Sequence, residues 1–99
     1  MSARYFRITP SQYQVFRFSL PESRRVHIGL SASAAVKVLL LNSGELAEYV
    51  DGEGATHPYT AAWGRRTDLD VTERIGPGTW YVIVEGSTEA SSGRLDIDV

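Results

Sequence analysis

Apolar and polar side chains alternate residue by residue through most of this 99-residue chain, and no stripe at helical spacing competes with that pattern. The clearest stretch runs from Ile75 to Gly86. Gly76-Pro77-Gly78 marks a turn, with Pro77 pre-setting φ at the first corner and Gly78 able to take the positive φ that a type II turn needs at the second. Trp80, Tyr81, Val82, Ile83 and Val84 are all aromatic or β-branched, which predicts a central strand.

Upstream, Arg4 to Ile8 predicts a short strand closed by a Thr9-Pro10-Ser11 turn. Gln12 to Leu20 sets Gln14, Phe16, Phe18 and Leu20, expected inward, against Tyr13, Val15, Arg17 and Ser19. Past Pro21-Glu22-Ser23, the stretch Arg24 to Leu30 sets Val26, Ile28 and Leu30 against Arg25, His27 and Gly29. Its matching length predicts a hairpin with the preceding strand. Ser31 to Ala35 is small and polar, as in a crossing loop, and Val36 to Leu41 reads as a strand buried on both faces. After an Asn42-Ser43-Gly44 turn, Glu45 to Val50 fits a short strand, although its Ala and Glu also allow one turn of helix.

Asp51-Gly52-Glu53-Gly54 then breaks the alternation, and Pro58 confines Thr56 to Trp63 to an edge or an irregular segment. Thr67 to Glu73, with Leu69 and Val71 inward, and Arg94 to Val99, with Leu95, Ile97 and Val99 inward, add two more strands. Gly86 to Gly93 reads as a mobile loop. About eight or nine short strands, with turn signals about every 8 to 12 residues, predict an all-β fold: an antiparallel two-sheet β-sandwich of jelly-roll type, one domain over residues 1–99.

Composition narrows the function classes. There is no cysteine, hence no disulfide framework and no thiolate chemistry. A net charge of −2, from 12 acidic and 10 basic side chains without a long run of either sign, gives no footprint for nucleic acid. Arg4, Arg7, Pro10 and Arg17 interrupt the first twenty residues, so no signal-peptide core is expected there, and Val38 to Leu41 falls far short of the roughly 20 apolar residues that cross a bilayer. The expectation is a cytoplasmic protein with no membrane role, or a secreted one if the chain is a domain excised from a larger protein.

Candidate chemistry concentrates in residues 51–66 and their neighbours. Tyr49, Tyr59 and Trp63 beside His57, Arg65 and Arg66 combine aromatic faces with planar guanidiniums, the groups that hold a sugar ring or a partner's charged tail. The same aromatics would equally serve to cover an open end of the core. Asp68, Asp70, Asp96 and Asp98 project from two strands, where they could approach one another for a hard cation or simply form a solvated face; no metal is assigned. The paired arginines Arg24-Arg25 and Arg65-Arg66 suit an anionic ligand if folding brings them together. With two histidines, His27 and His57, and no Gly-x-Ser-x-Gly elbow, no catalytic constellation emerges, and no cofactor is implied.

The order of Val36-Lys37-Val38-Leu39-Leu40-Leu41-Asn42, the acidic-aromatic loop, Thr67-Asp68-Leu69-Asp70-Val71, Gly78-Thr79-Trp80-Tyr81-Val82-Ile83-Val84 and Gly93 resembles the bacterial pre-peptidase C-terminal-like domains. That resemblance implies a jelly-roll-like sandwich appended to a secreted enzyme. The Leu40-Leu41-Asn42 turn, the loop aromatics Tyr49 and Tyr59 and the Gly78-Thr79-Trp80 strand are also similar to a family of small bacterial β-sandwiches of unknown function, some joined to Toll/interleukin-receptor-like signalling domains, with the resemblance covering residues 26–99. The acidic residues that pre-peptidase-type domains carry before the strand beginning here at Ala34-Ala35-Val36 are missing, so no calcium site is carried over. The resulting expectation is a non-catalytic binding or assembly module of a bacterial protein, recognising a ligand or partner through loops 51–66 and 86–93. Self-association through a sheet edge or the face bearing Tyr13, Val15 and Arg17 is a second form of it; a carbohydrate-binding module and, last, a small hydrolase are the alternatives.

Overall fold

The computed structural model describes residues 2–51 and 59–99. Six strands and one helix follow in the order β1 (Ser2–Ile8), β2 (Tyr13–Leu20), β3 (Arg24–Asn42), α1 (Ser43–Asp51), β4 (Ala61–Ile75), β5 (Gly78–Gly86) and β6 (Ser91–Asp98). The fold is all-β in character, as the alternation predicts, but the described residues hold six strands rather than eight or nine. They make one antiparallel sheet in the order β1-β6-β3-β5-β2, with β4 also paired to β3, curled into a half-barrel. The expected pair of separate sheets is absent from these ladders.

The 19-residue β3 explains most of the difference. Along one edge it pairs β6 through residues 27–32 and then β5 through residues 36–42, while β4 follows its other edge at both ends. Ser31–Ala35, expected as a crossing loop, is the point where the partner changes, and the register against β4 shifts there. The Ser91 hydroxyl bridges this irregularity: it donates to the Ala34 carbonyl at 2.8 Å and accepts the Ala34 N–H at 3.1 Å. Ser91 is itself buried, so the bridge satisfies backbone groups that the slipped ladder would leave orphaned. It also starts β6, which shortens the expected loop 86–93 to four residues, 87–90.

The hairpin expected between Gln12–Leu20 and Arg24–Leu30 does not form. Phe16 pairs with Val82 and Phe18 with Trp80, so β2 lies on β5. Inward side chains from the strands, among them Phe6, Val26, Ile28, Leu30, Val36, Val38, Leu40, Leu69, Val82, Val84, Leu95 and Ile97, form one buried cluster on the concave side. Even-numbered β3 positions supply it before and after the irregularity, so the strand bends without turning over.

Glu45–Val50, read first as a strand, is helical. The Asn42 side chain accepts the Glu45 N–H at 2.8 Å and the Glu45 carboxylate accepts the Asn42 N–H at 3.0 Å, a reciprocal box that caps α1. Leu46 and Tyr49 of this helix pack over Leu39, Leu41 and Ile83 on the convex side. That placement accounts for a strand apolar on both phases. Gly78 has φ of 124°, the positive value expected of the turn.

Candidate binding face

The sheet separates the aromatic and basic residues expected to share one site. Tyr49 is half-buried on the convex side, where its ring meets Tyr13 edge-on at 5.2 Å and its hydroxyl donates to Glu85. Burial first, and then the bonded Glu85 carboxylate, push its ionisation well above the ordinary tyrosine value. Trp63 packs on the opposite side, against the concave cluster. Tyr59 is exposed beside Thr60, whose N–H reaches the Leu40 carbonyl and whose hydroxyl bonds Glu45 at 2.8 Å. Arg65 and Arg66 are exposed on β4 rather than in a loop; Trp63 faces Val38 and Arg66 faces Val36, so one extra residue bulges between them, with Arg65 at φ of 47°. His57 lies outside the described residues. Nor do the two arginine pairs meet, for Arg24-Arg25 begins β3 against Ile75 and Arg74, far along the strand from Val36.

The topology gathers polar chemistry elsewhere, on the convex side of β1, β6, β3 and β4. Three registers fix its rows: Asp98, His27 and Thr72; Asp96, Gly29 and Asp70; Tyr5, Arg94, Ser31 and Asp68. His27 stands between two acidic strands. Its Nε2 bonds Asp70, and its Nδ1 lies 4.0 Å from Asp98. The four aspartates thus share a face, but β3 divides them into pairs roughly 10 Å apart. Among the described residues no group of three or more potential ligands converges on a metal position. The two nitrogens of His27 also point to opposite neighbours, which suits a bridge better than a ligand set.

Next to this strip, Tyr5, Arg7, Ser31, Ser33, Ser92 and Arg94 ring an open depression of about 700 Å³. Tyr5 is 73% exposed, and the N–H of Ser92 donates to the Ser33 hydroxyl at 3.0 Å. Both Nε and Nη2 of Arg94 lie 3.1 Å from one oxygen of Asp96, which fixes the guanidinium while its other donors meet no acceptor among the described residues. Gly93 floors the depression for a steric reason: a Cβ there would sit 2.0 Å from the Ser31 carbonyl oxygen. Sequence reasoning missed this group because strand partners bring it together. The available signal was an aromatic, Tyr5, on the polar phase of an alternating strand.

No protein-family model matches the sequence, and no curated protein matches it. Its shape does match solved structures. The fold is similar to that of the pre-peptidase C-terminal domain of a collagenase from Bacillus anthracis, with a TM-score of 0.71 over 98% of this chain and 88% of that one. Identity is 10%, so the likeness is one of fold. It agrees with the resemblance drawn from the strand order. No helix among the described residues is long and apolar enough to cross a membrane.

Proposed function

We propose that this domain is a non-catalytic binding module that presents the convex face of β1, β6 and β3 to its ligand, rather than the loops alone. The observation carrying this reading is the exposed Tyr5 ring above a hydroxyl-lined depression on a half of the sheet that no helix of the described residues covers. An aromatic ring beside fixed polar donors is the arrangement that binds a polar ring, because stacking supplies area and hydrogen bonds supply orientation. A non-catalytic role is supported by His27, whose Nε2 is taken up by Asp70 and whose Nδ1 faces Asp98 at 4.0 Å rather than a serine hydroxyl. Likeness to a domain of a collagenase supports an accessory role beside a larger partner protein.

A glycan array tests the reading. Binding should be lost in Tyr5→Ala and kept in Tyr59→Ala, the latter standing for the loop surface. A blank array, or binding indifferent to Tyr5, would remove it. Self-association is the second form, favoured by Tyr13 and Val15, exposed on the edge strand β2. Light scattering at two concentrations would then show mass rising with concentration, and Val15→Lys would abolish the rise.

A further inference from the structure

We infer that the ligand class of this face is an acidic polysaccharide, a sugar chain carrying carboxylate or sulfate groups; this rests on the binding-face reading above. Register sets Tyr5 directly opposite Arg94, with Arg7 one row along the same strand, opposite Ser92. Cross-strand and diagonal neighbours lie about 5 to 8 Å apart, so the ring and both guanidiniums border one stretch of the depression. Arg7 is exposed and has no ion-pair partner among the described residues. Arg94 is held by a single oxygen of Asp96, which leaves three of its five N–H donors for an acceptor. A planar fork of donors matches a carboxylate or sulfate far better than a sugar hydroxyl does.

The remainder of the lining argues for sugar rather than another polyanion. Ser31, Ser33 and Ser92 present small hydroxyl-bearing side chains, and Tyr5 offers one stacking surface, where single-stranded nucleic acid would need a succession of them. Asp68, Asp70, Asp96 and Asp98 lie farther along the same face, so they confine the acidic groups of any chain to the stretch bordered by the two arginines. The depression is open, which suits an extended chain passing over it.

Calorimetry of the full chain against polygalacturonate, heparin, dextran and polyuridylate tests the inference, and the first two arms separate carboxylate from sulfate. The expected result is binding to at least one acidic polysaccharide. It should weaken about tenfold or more in Arg7→Gln, in Arg94→Gln and in Tyr5→Ala, and weaken as salt rises. Arg25→Gln/Arg74→Gln, which removes two charges elsewhere on the same side of the sheet, should leave affinity within about twofold. Failure to bind either acidic polymer, equal binding of polyuridylate, or an equal loss in the Arg25 and Arg74 variant would overturn it. Dextran binding that depends on Tyr5 but not on either arginine would overturn the acidic class and keep the face; binding indifferent to Tyr5 as well would end both.

Discussion

Beneath α1 the convex side of the sheet carries Leu39, Leu41 and Ile83, each at 1% exposure or less; across β1, β6 and the first half of β3 the same side carries Tyr5, Arg94, Ser31, Ser33 and His27. One strand builds both halves. Outward positions of β3 are polar or small from Arg25 to Ser33 and turn apolar at Leu39 and Leu41, while its inward positions remain core throughout. A capped helix seals the apolar half, so that half is committed to stability. Among the described residues, no outward side chain of this polar half in β1, β6 and the first half of β3 is fully buried, and Tyr5 and Arg7 stay exposed to a ligand.

Cutting into the covered half should produce the largest effect. Leu41→Ala removes a fully buried side chain and should destabilise the domain by about 3 kcal/mol, read from urea unfolding. Ser31→Ala on the bare half should stay within about 0.5 kcal/mol. A loss below about 1 kcal/mol for Leu41→Ala would mean that α1 does not seal its half.

Next in size is Gly93→Ala, where the bare half is least tolerant. The added Cβ would press on the Ser31 carbonyl oxygen at 2.0 Å and on the Phe6 ring at 2.9 Å, so β6 and β3 must part locally. We expect a cost of about 2 kcal/mol and faster amide exchange along β6. A variant as stable as the parent would show that this ladder yields freely.

On the covered half, Tyr49→Phe removes the hydroxyl bonded to Glu85 and should cost about 1 kcal/mol at neutral pH. Since folding raises the ionisation of Tyr49 above that of the unfolded chain, the phenol's contribution is complete below about pH 10 and declines as pH rises beyond it. Unfolding midpoints measured between neutral and strongly alkaline pH should therefore fall more steeply in the parent than in Tyr49→Phe. Parallel curves would sever Tyr49 from alkaline unfolding.

Period-two patterning made most strand segments, most of the inward set and the two-sided burial of Val36–Leu41 legible from sequence, because each follows from local alternation, although Gln14 and Val99, expected inward, are exposed. Strand partners were not legible. Nothing within Gln12–Leu20 says that Phe16 meets Val82 rather than a residue of the next strand, and that choice decides which outward side chains become neighbours. The helix had a readable signal in Asn42-Ser43-Gly44-Glu45, a capping box that also resembles a turn; the apolar outward positions Leu39 and Leu41 required a cover and favoured the helix. Tyr49 and Trp63, expected to share one site, pack on opposite sides of the sheet, whereas Tyr5, Arg7 and Arg94 converge only through pairing of the first strand with the last.

The smallest expected effect probes charge on the uncovered side. Arg25 and Arg74 are directly opposed across β3 and β4, both exposed, with no ion pair for either among the described residues. Like charges facing each other across a ladder repel, so Arg74→Gln should raise stability by about 0.5 kcal/mol at low ionic strength. In about 1 M salt the Debye length falls to roughly 3 Å and the gain should vanish. Urea midpoints at the two salt concentrations read both numbers. A gain that persists in high salt would trace to packing or strand preference rather than repulsion. A loss of stability at low salt would mean that the Arg74 side chain contributes more through packing of its aliphatic stem than it costs by repulsion.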